Sequence, residues 1–218
     1  MELVSVNVGS PRRIAGAGKS GVTGIFKEPR KGAVFVGRLG VEGDAVCDVE
    51  NHGGPDQAVY VYGTPDYEWW ACELGRELSP GTFGENLTVS GLESAALDIG
   101  DRLCVGSATL EVTGPRIPCG TISARMGDRL FVKKFRAAER PGVYCRVIRE
   151  GEVRAGDEVV LEPYSGEVSP PLGVVENFRE FFEPENDEET LRRHLAAPIA
   201  IRDQAHKERL LSRILSSK

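Results

Sequence analysis

Arg102-Leu-Cys-Val-Gly-Ser-Ala-Thr-Leu-Glu-Val-Thr-Gly-Pro-Arg-Ile-Pro-Cys-Gly-Thr121 holds the fold signal and the chemistry of this chain together. Its first half alternates, so 102–105 and 109–112 read as two strands of a hairpin across Gly106-Ser107, with Cys104 an inward, structural residue. In its second half Pro115 and Pro118 fix φ and remove two backbone donors, which excludes helix interior and central strand. Gly114 and Gly120 add angles that other residues resist. The expected product is a stiff loop at the end of a strand, presenting the Cys119 sulfur with Arg116 nearby. Such a thiol reads as a reactive or metal-binding group, or as a small buried filler, and the local residues leave both open.

The same texture extends outward. Upstream, 2–8, 22–27, 33–37, 58–62 and 87–89 alternate or run apolar like strands; downstream, 142–148 and 158–161 do the same. Between them lie a glycine-punctuated turn at 39–44 and a shaped loop, Asn51-His-Gly-Gly-Pro-Asp-Gln57. Beside two glycines and a proline, His52 can be a ligand, a proton donor, a cap or a structural group. Helix signals are few in this part. Segment 65–78 has Pro65 in its first turn and Asp66 and Glu68 at its positive end. Its Trp69, Trp70, Cys72 and Leu74 are expected to pack on a sheet, which makes Cys72 core filler. Segment 128–138 reads as a second short helix. Many short strands at spacings of about ten residues predict a mainly β domain, a barrel or a sandwich. Gly16-Ala-Gly-Lys-Ser20 suggests a phosphate-binding P-loop, but Arg13 stands where that motif needs its first glycine and no helical run follows Ser20.

Composition then shifts. Segment 162–171 has three prolines and two serines and reads as a linker. Beyond it the period becomes helical: Val174, Val175, Phe178, Phe181 and Phe182 form one apolar stripe. Leu191 and Leu195 mark a second helix. Pro198 starts a third, with Ile201, Ala205, Leu211, Ile214 and Leu215 on one side. The expected organisation is a domain over 1–163 and a three-helix region over 172–218. A helical unit that short is marginal alone and is expected to lean on the rest.

With 218 residues, 40% hydrophobic content and a net charge of −6, the chain reads as a soluble globular protein without a general nucleic-acid surface. Neither a basic, apolar leader nor an uninterrupted apolar run of about 18 residues appears, so neither a signal peptide nor a membrane span is expected. Five cysteines, an odd number without a CxxC pair, point to reduced thiols in a cytoplasm.

Taken in order, Leu39-Gly-Val-Glu-Gly-Asp44, Asn51-His-Gly-Gly-Pro-Asp56, Gly84-Glu-Asn-Leu87, Pro115-Arg-Ile-Pro-Cys119, Arg140-Pro-Gly-Val-Tyr144 and Gly156-Asp157 resemble the motifs of the MOSC domain family, named for the C-terminal domain of molybdenum cofactor sulfurase. The likeness covers roughly 1–163 and extends to the three C-terminal helices of a bacterial YiiM-like branch. It implies a MOSC-type antiparallel β-barrel holding a molybdenum cofactor (Mo-molybdopterin) in a cleft. It also implies that Cys119 ligates the metal, that N-hydroxylated compounds such as hydroxylamines, amidoximes and N-hydroxy bases are reduced, and that a separate reductase donates the electrons. No GxGxxG, flavin or haem motif stands in the chain to supply them. A soft thiolate suits such a metal centre. The pterin phosphate needs cations, for which Lys27 and Arg116 are the candidates, with Thr23 assisting. Lys27 can equally be a solvated strand end, and Arg116 a brace on backbone carbonyls. His52, Asp56 and Asn86 would orient pterin or substrate, His52 with a catalytic role beside Cys119, and Thr121 would donate to the thiolate. Relatives often carry glutamine where this chain has Val46, and Cys47 beside it places a second thiol near the expected site.

Two other readings stand beside this oxidoreductase. One is a non-catalytic cofactor or sulfur carrier with a Cys119 persulfide; the other is a Cys–His hydrolase using Cys119 and His52. The acidic run 183–189 reads as solvated helix surface or a docking face for a redox partner. The helical region can close over the cleft or make a homodimer contact.

Overall fold

The computed structural model describes residues 1–15, 21–166 and 168–216, and Glu50 in its backbone only. The P-loop-like 16–20 lies outside the described residues. The first strands are β1 (Leu3–Gly9), β2 (Arg12–Arg13), β3 (Val22–Thr23), β4 (Lys27–Pro29), β5 (Val34–Gly37) and β6 (Gly40–Val41). A short helix α1 (Val49–His52) precedes β7 (Val59–Gly63), helix α2 (Thr64–Leu74) and β8 (Leu87–Val89). The hairpin β9 (Arg102–Val105) and β10 (Ala108–Pro115) leads to helices α3 (Gly120–Met126) and α4 (Phe131–Ala138). Then come β11 (Val143–Arg149), β12 (Gly151–Val153) and β13 (Val159–Glu162), and last α5 (Val174–Phe182), α6 (Glu188–Ala196) and α7 (Ile201–Ser216).

Eight strands form one sheet in the order β13-β9-β10-β11-β7-β8-β1-β4. All of its pairs are antiparallel but one. β7 and β8 run parallel, Val61 opposite Leu87, because helix α2 carries the chain back across between them. An isolated bridge between Glu2 and Glu158, with backbone bonds from Leu3 to Asp157 and from Val159 to Met1, reaches from β1 towards β13. Among the described residues no strand ladder joins the two ends. The expected antiparallel barrel is therefore a mixed sheet whose edges approach each other without a closing ladder.

Two cores hold it. Inward-facing aliphatic residues such as Val6, Val61, Leu103, Leu110 and Val143 fill the sheet interior. The C-terminal segment belongs to that core, since Leu172, Val174, Ala197 and Ile199 pack into it. Burying each such side chain contributes about 1.5–3 kcal/mol. The second core is aromatic and lies on the side of the site. Tyr62 stacks on Phe83 at 4.6 Å, Trp70 packs on Phe131 at 5.0 Å, and Phe135 and Phe178 complete it. Its polar atoms are satisfied: Trp70 Nε1 donates to Tyr62 Oη (2.9 Å), and Tyr62 Oη donates to the Arg140 carbonyl (2.8 Å).

Three readings of the sequence are corrected here. Cys72 is exposed and Trp69 half-exposed, because α2 turns only Asp66, Tyr67 and Trp70 inward. Cys104 points away from the interior that Leu103 and Val105 enter, and meets Thr109 instead. The strand expected over 22–27 breaks into β3 and β4. At the break, a Cβ on Gly24 would sit 1.8 Å from the Ala45 carbonyl oxygen, so the chain bends where only glycine can pass. No helix among the described residues is long and apolar enough to cross a membrane.

Candidate functional site

Strand β10 carries register shifts before Leu110 and before Gly114. Such bulges re-aim a strand end, and here Pro115 to Pro118 leave the sheet towards a cleft. Cys119 ends that segment as the N-cap of α3, with an extended backbone (φ −128°, ψ 176°). Across the cleft, Asp48 caps α1 by accepting from the Asn51 amide (3.2 Å), which fixes His52 as the last helical residue. Gly53 and Gly54 then turn the chain, Gly54 at φ +95°. The two elements meet at the site: Cys119 Sγ lies 3.6 Å from His52 Nε2.

Burial of the Cys119 sulfur opposes its ionisation. The His52 hydrogen bond, the Arg116 guanidinium and the Thr121 hydroxyl outweigh that, and the thiol falls to about 6. Cys119 is thus a thiolate at neutral pH. Two other cysteines behave otherwise: burial pushes Cys47 up, although it lines the same cleft, and Cys145 is sealed in the sheet core.

Arg116 is buried beneath the thiolate. Its Nη1 donates to the Phe83 carbonyl and its Cζ stands 5.0 Å from the Tyr60 ring centroid. Burial works against its charge, but Tyr60, Tyr144 and Cys119 hold the guanidinium protonated. The Phe83 carbonyl is aimed by wholly buried Glu85, whose Oε1 accepts from Tyr67 Oη (2.6 Å), the Gly81 amide (2.6 Å) and Thr88 Oγ1 (2.8 Å). Gly84 in this loop sits at φ +79°, where a Cβ would stand 2.7 Å from Ile25. The brace on backbone carbonyls and the cation beside the sulfur are therefore both roles of Arg116.

A second network forms the opposite wall. Asp44, read from the sequence only as a turn residue, accepts from Lys27 Nζ, from Asn86 Nδ2 (2.8 Å) and from the Gly9 amide (2.7 Å). Lys27 and Asp44 are both buried. Burial lowers Lys27 below the usual lysine range, Asp44 only partly opposing it. Asn86 also accepts from the Tyr60 amide (3.1 Å), so its side chain ties β7 to the 39–44 turn. Lys27 and Asn86 line the cleft, but their polar atoms are committed to the scaffold. Thr23, also at the wall, accepts from the Ile25 amide (3.1 Å).

Asp56 is not brought to the cleft. One oxygen lies 3.0 Å from Arg146 Nε and the other accepts from the Ile201 amide (2.7 Å). Its backbone carbonyl accepts from Thr113 Oγ1 (2.5 Å). Asp56 thus joins the glycine loop to the start of α7 and, unlike the other expected site residues, does not line the cleft. No sequence signal separated these roles, because Asp56 and Ile201 are brought together only by the tertiary fold.

The cleft has a volume of about 360 Å³, within the usual range of small-ligand sites, about 300–1,000 Å³. Tyr60 and Tyr144, 5.2 Å apart between centroids, give it an aromatic side. Among the described residues no group of three or more His, Cys, Asp or Glu side chains forms a metal cage. Of the two sulfurs that line the cleft, Cys119 is the one lowered in pKa, and what the cleft offers a planar heterocycle is an aromatic wall and the buried, unpartnered Nε of Arg116. That donor set fits a metal that arrives with its remaining ligands on an organic cofactor.

The chain is thus a mixed-sheet protein that sets a cysteine, a histidine and an arginine at an aromatic-walled cleft. The model of the MOSC domain matches residues 48–160, and the chain belongs to the MOSC domain family. Within it the chain falls on the YiiM-like branch. It is 41% identical to protein YflK of Bacillus subtilis over 159 residues, 73% of this chain and 72% of that protein. A protein of Gibberella moniliformis named Reductase is 31% identical over 168 residues, 74% of this chain but 30% of that longer protein. The crystal structure of YiiM from Geobacillus stearothermophilus superposes with a TM-score of 0.77 at 24% identity, covering 96% of this chain and 98% of that one.

Proposed function

We propose that this chain binds the molybdenum cofactor in the Cys119 cleft and reduces N-hydroxylated compounds to the corresponding amines. The observation that carries the reading is the pairing of Cys119 Sγ with His52 Nε2, with the thiol lowered to about 6. Cys119 enters the site already ionised, the form in which a thiol ligates a metal. Arg116 offsets its negative charge from below. When bound, the cofactor supplies two-electron chemistry at an N–O bond. Conversion of R–NH–OH to R–NH2 and water consumes two electrons and two protons. His52, in reach of the sulfur and at the cleft wall, can hold and deliver a proton there. Tyr60 and Tyr144 favour flat, conjugated substrates such as amidoximes and N-hydroxy bases.

The electrons come from a separate reductase. In the fungal protein named Reductase, the part resembling this chain is under a third of the whole. The test is to make the chain in a cofactor-competent host and assay reduction of benzamidoxime with an artificial electron donor. Activity in the wild type and its loss in Cys119→Ala support the reading; full activity in Cys119→Ala with molybdenum still bound overturns it.

A second reading rests on the same low thiol. A thiolate at neutral pH also attacks the outer sulfur of a donor protein's persulfide, breaking the donor S–S bond and releasing the donor thiolate, so that Cys119 would carry the persulfide for transfer to a client. Intact-mass spectrometry separates the two, because the carrier gains one sulfur atom on Cys119 and the metal ligand does not.

A further inference from the structure

The pterin of such a cofactor ends in a phosphate, and the two cations expected to meet it are engaged elsewhere. Lys27 is neutralised by the Asp44 carboxylate, and Arg116 faces the Cys119 sulfur and the Phe83 carbonyl. Two other guanidinium groups neighbour residues of the cleft wall without lining the cleft themselves. Arg12 belongs to β2, where it pairs with Thr23 of the cleft wall. Arg125 lies on α3 four residues after Thr121, on the same helix face and one turn further along. Both converge on one ring: Arg12 Cζ is 4.7 Å and Arg125 Cζ 4.5 Å from the Phe26 centroid. The two charges are thus no farther apart than the sum of those distances. Phe26 itself stands between Ile25 and Lys27, which both line the cleft.

No carboxylate among the described residues pairs with Arg12 or Arg125, and Arg125 Nε is buried without a partner. Burial lowers Arg125, with Arg12 and Arg76 adding to the effect, while Tyr67 and Glu85 work the other way. In a chain of net charge −6 with twelve ion pairs among its described residues, exposed Arg12 and half-buried Arg125 share one ring and have no ion-pair partner among those residues. An anion bound by both would offset their like charges. Guanidinium forks match phosphate oxygens in a bidentate manner, and the Phe26 ring fixes both side chains through cation–π contact.

We infer that Arg12 and Arg125, held on Phe26, form a phosphate-monoester subsite next to the cleft wall, the seat of the cofactor's terminal phosphate. Only the identity of the phosphate rests on the function proposed above; the anion site itself rests on the arginine pair.

The test uses the full chain in two preparations. The first is made in a host that cannot synthesise the pterin and is titrated with inorganic phosphate by calorimetry at low salt. Wild type is expected to bind in the millimolar range, with affinity falling at least ten-fold in Arg12→Gln/Arg125→Gln and retained within a few-fold in Arg12→Lys/Arg125→Lys. The second is made in a cofactor-competent host, dialysed, and assayed for pterin per chain by fluorescence after oxidation. The Gln pair is expected to retain less than a tenth of the wild-type pterin, and the Lys pair most of it. Phosphate affinity and pterin content unchanged in the folded Gln pair overturn the subsite while leaving the molybdenum reading standing. Arginine-dependent phosphate binding with no pterin in the wild type retains the anion site and overturns the cofactor as its occupant.

Discussion

Cys119 Sγ and His52 Nε2 stand 3.6 Å apart although 67 residues of chain separate them. This contact joins the end of α1 to the start of α3 and sets the ionisation of the thiol. The cofactor-free chain is therefore expected to react with iodoacetamide at Cys119 with a rate that rises through a midpoint near about 6 and levels off above it. In His52→Ala the midpoint moves up towards that of an ordinary thiol, about 8.5. Linkage has the same sign. A folded thiol lower than the unfolded one adds stability in full above about 8.5, and that gain is lost as pH falls through about 6. A midpoint unmoved by His52→Ala would show that the histidine does not act on the sulfur.

Lys27 and Asp44 form a buried pair that also holds Asn86 and the Gly9 amide. Removing one member leaves a buried charge and two unpaired donors. Asp44→Ala is expected to cost about 3–5 kcal/mol by urea denaturation. Lys27→Met/Asp44→Ala should recover part of that loss, because no lone ammonium remains in the wall. Equal stability of the single and double variants would rule out the pair as the source of the effect.

Asp56 and Ile201 lie 145 residues apart, yet the aspartate accepts from the first amide of α7. Asp56→Ala is expected to cost about 0.5–1.5 kcal/mol, the net worth of a hydrogen bond whose amide partner water can reach. Amide exchange at the start of α7 should rise and cofactor content should stay unchanged. Loss of cofactor without faster exchange at Ile201 would return Asp56 to the cleft.

The sheet was legible where alternation meets punctuation. Gly106-Ser107 marks the β9–β10 hairpin, and the apolar 58–62 run marks β7. The Cys119 loop was legible for the same reason, since two prolines and two glycines admit few backbone paths. The helix that starts at Gly120 was missed, because glycine is a poor first residue by propensity and its place is set by Ile122 packing into the aromatic core. The break at Gly24 was missed because its cause, the Ala45 carbonyl, arrives from a turn about twenty residues away in the chain. For the site, the sequence singled out Cys119, His52, Thr121, Arg116 and Lys27, which the fold brings to one cleft, but it carried no sign of which cations are paired. Charge pairing is a property of tertiary contacts: Lys27 is paired with Asp44, while Arg12 and Arg125 share a ring and have no ion-pair partner among the described residues.

Molybdenum per chain tests the central claim most directly. The wild type, produced in a cofactor-competent host and measured by elemental analysis, is expected to approach one molybdenum atom per chain. Cys119→Ser is expected to lose most of that metal, along with benzamidoxime reduction. Metal-free wild type from that host, with cofactor synthesis verified on a control enzyme, would contradict the account.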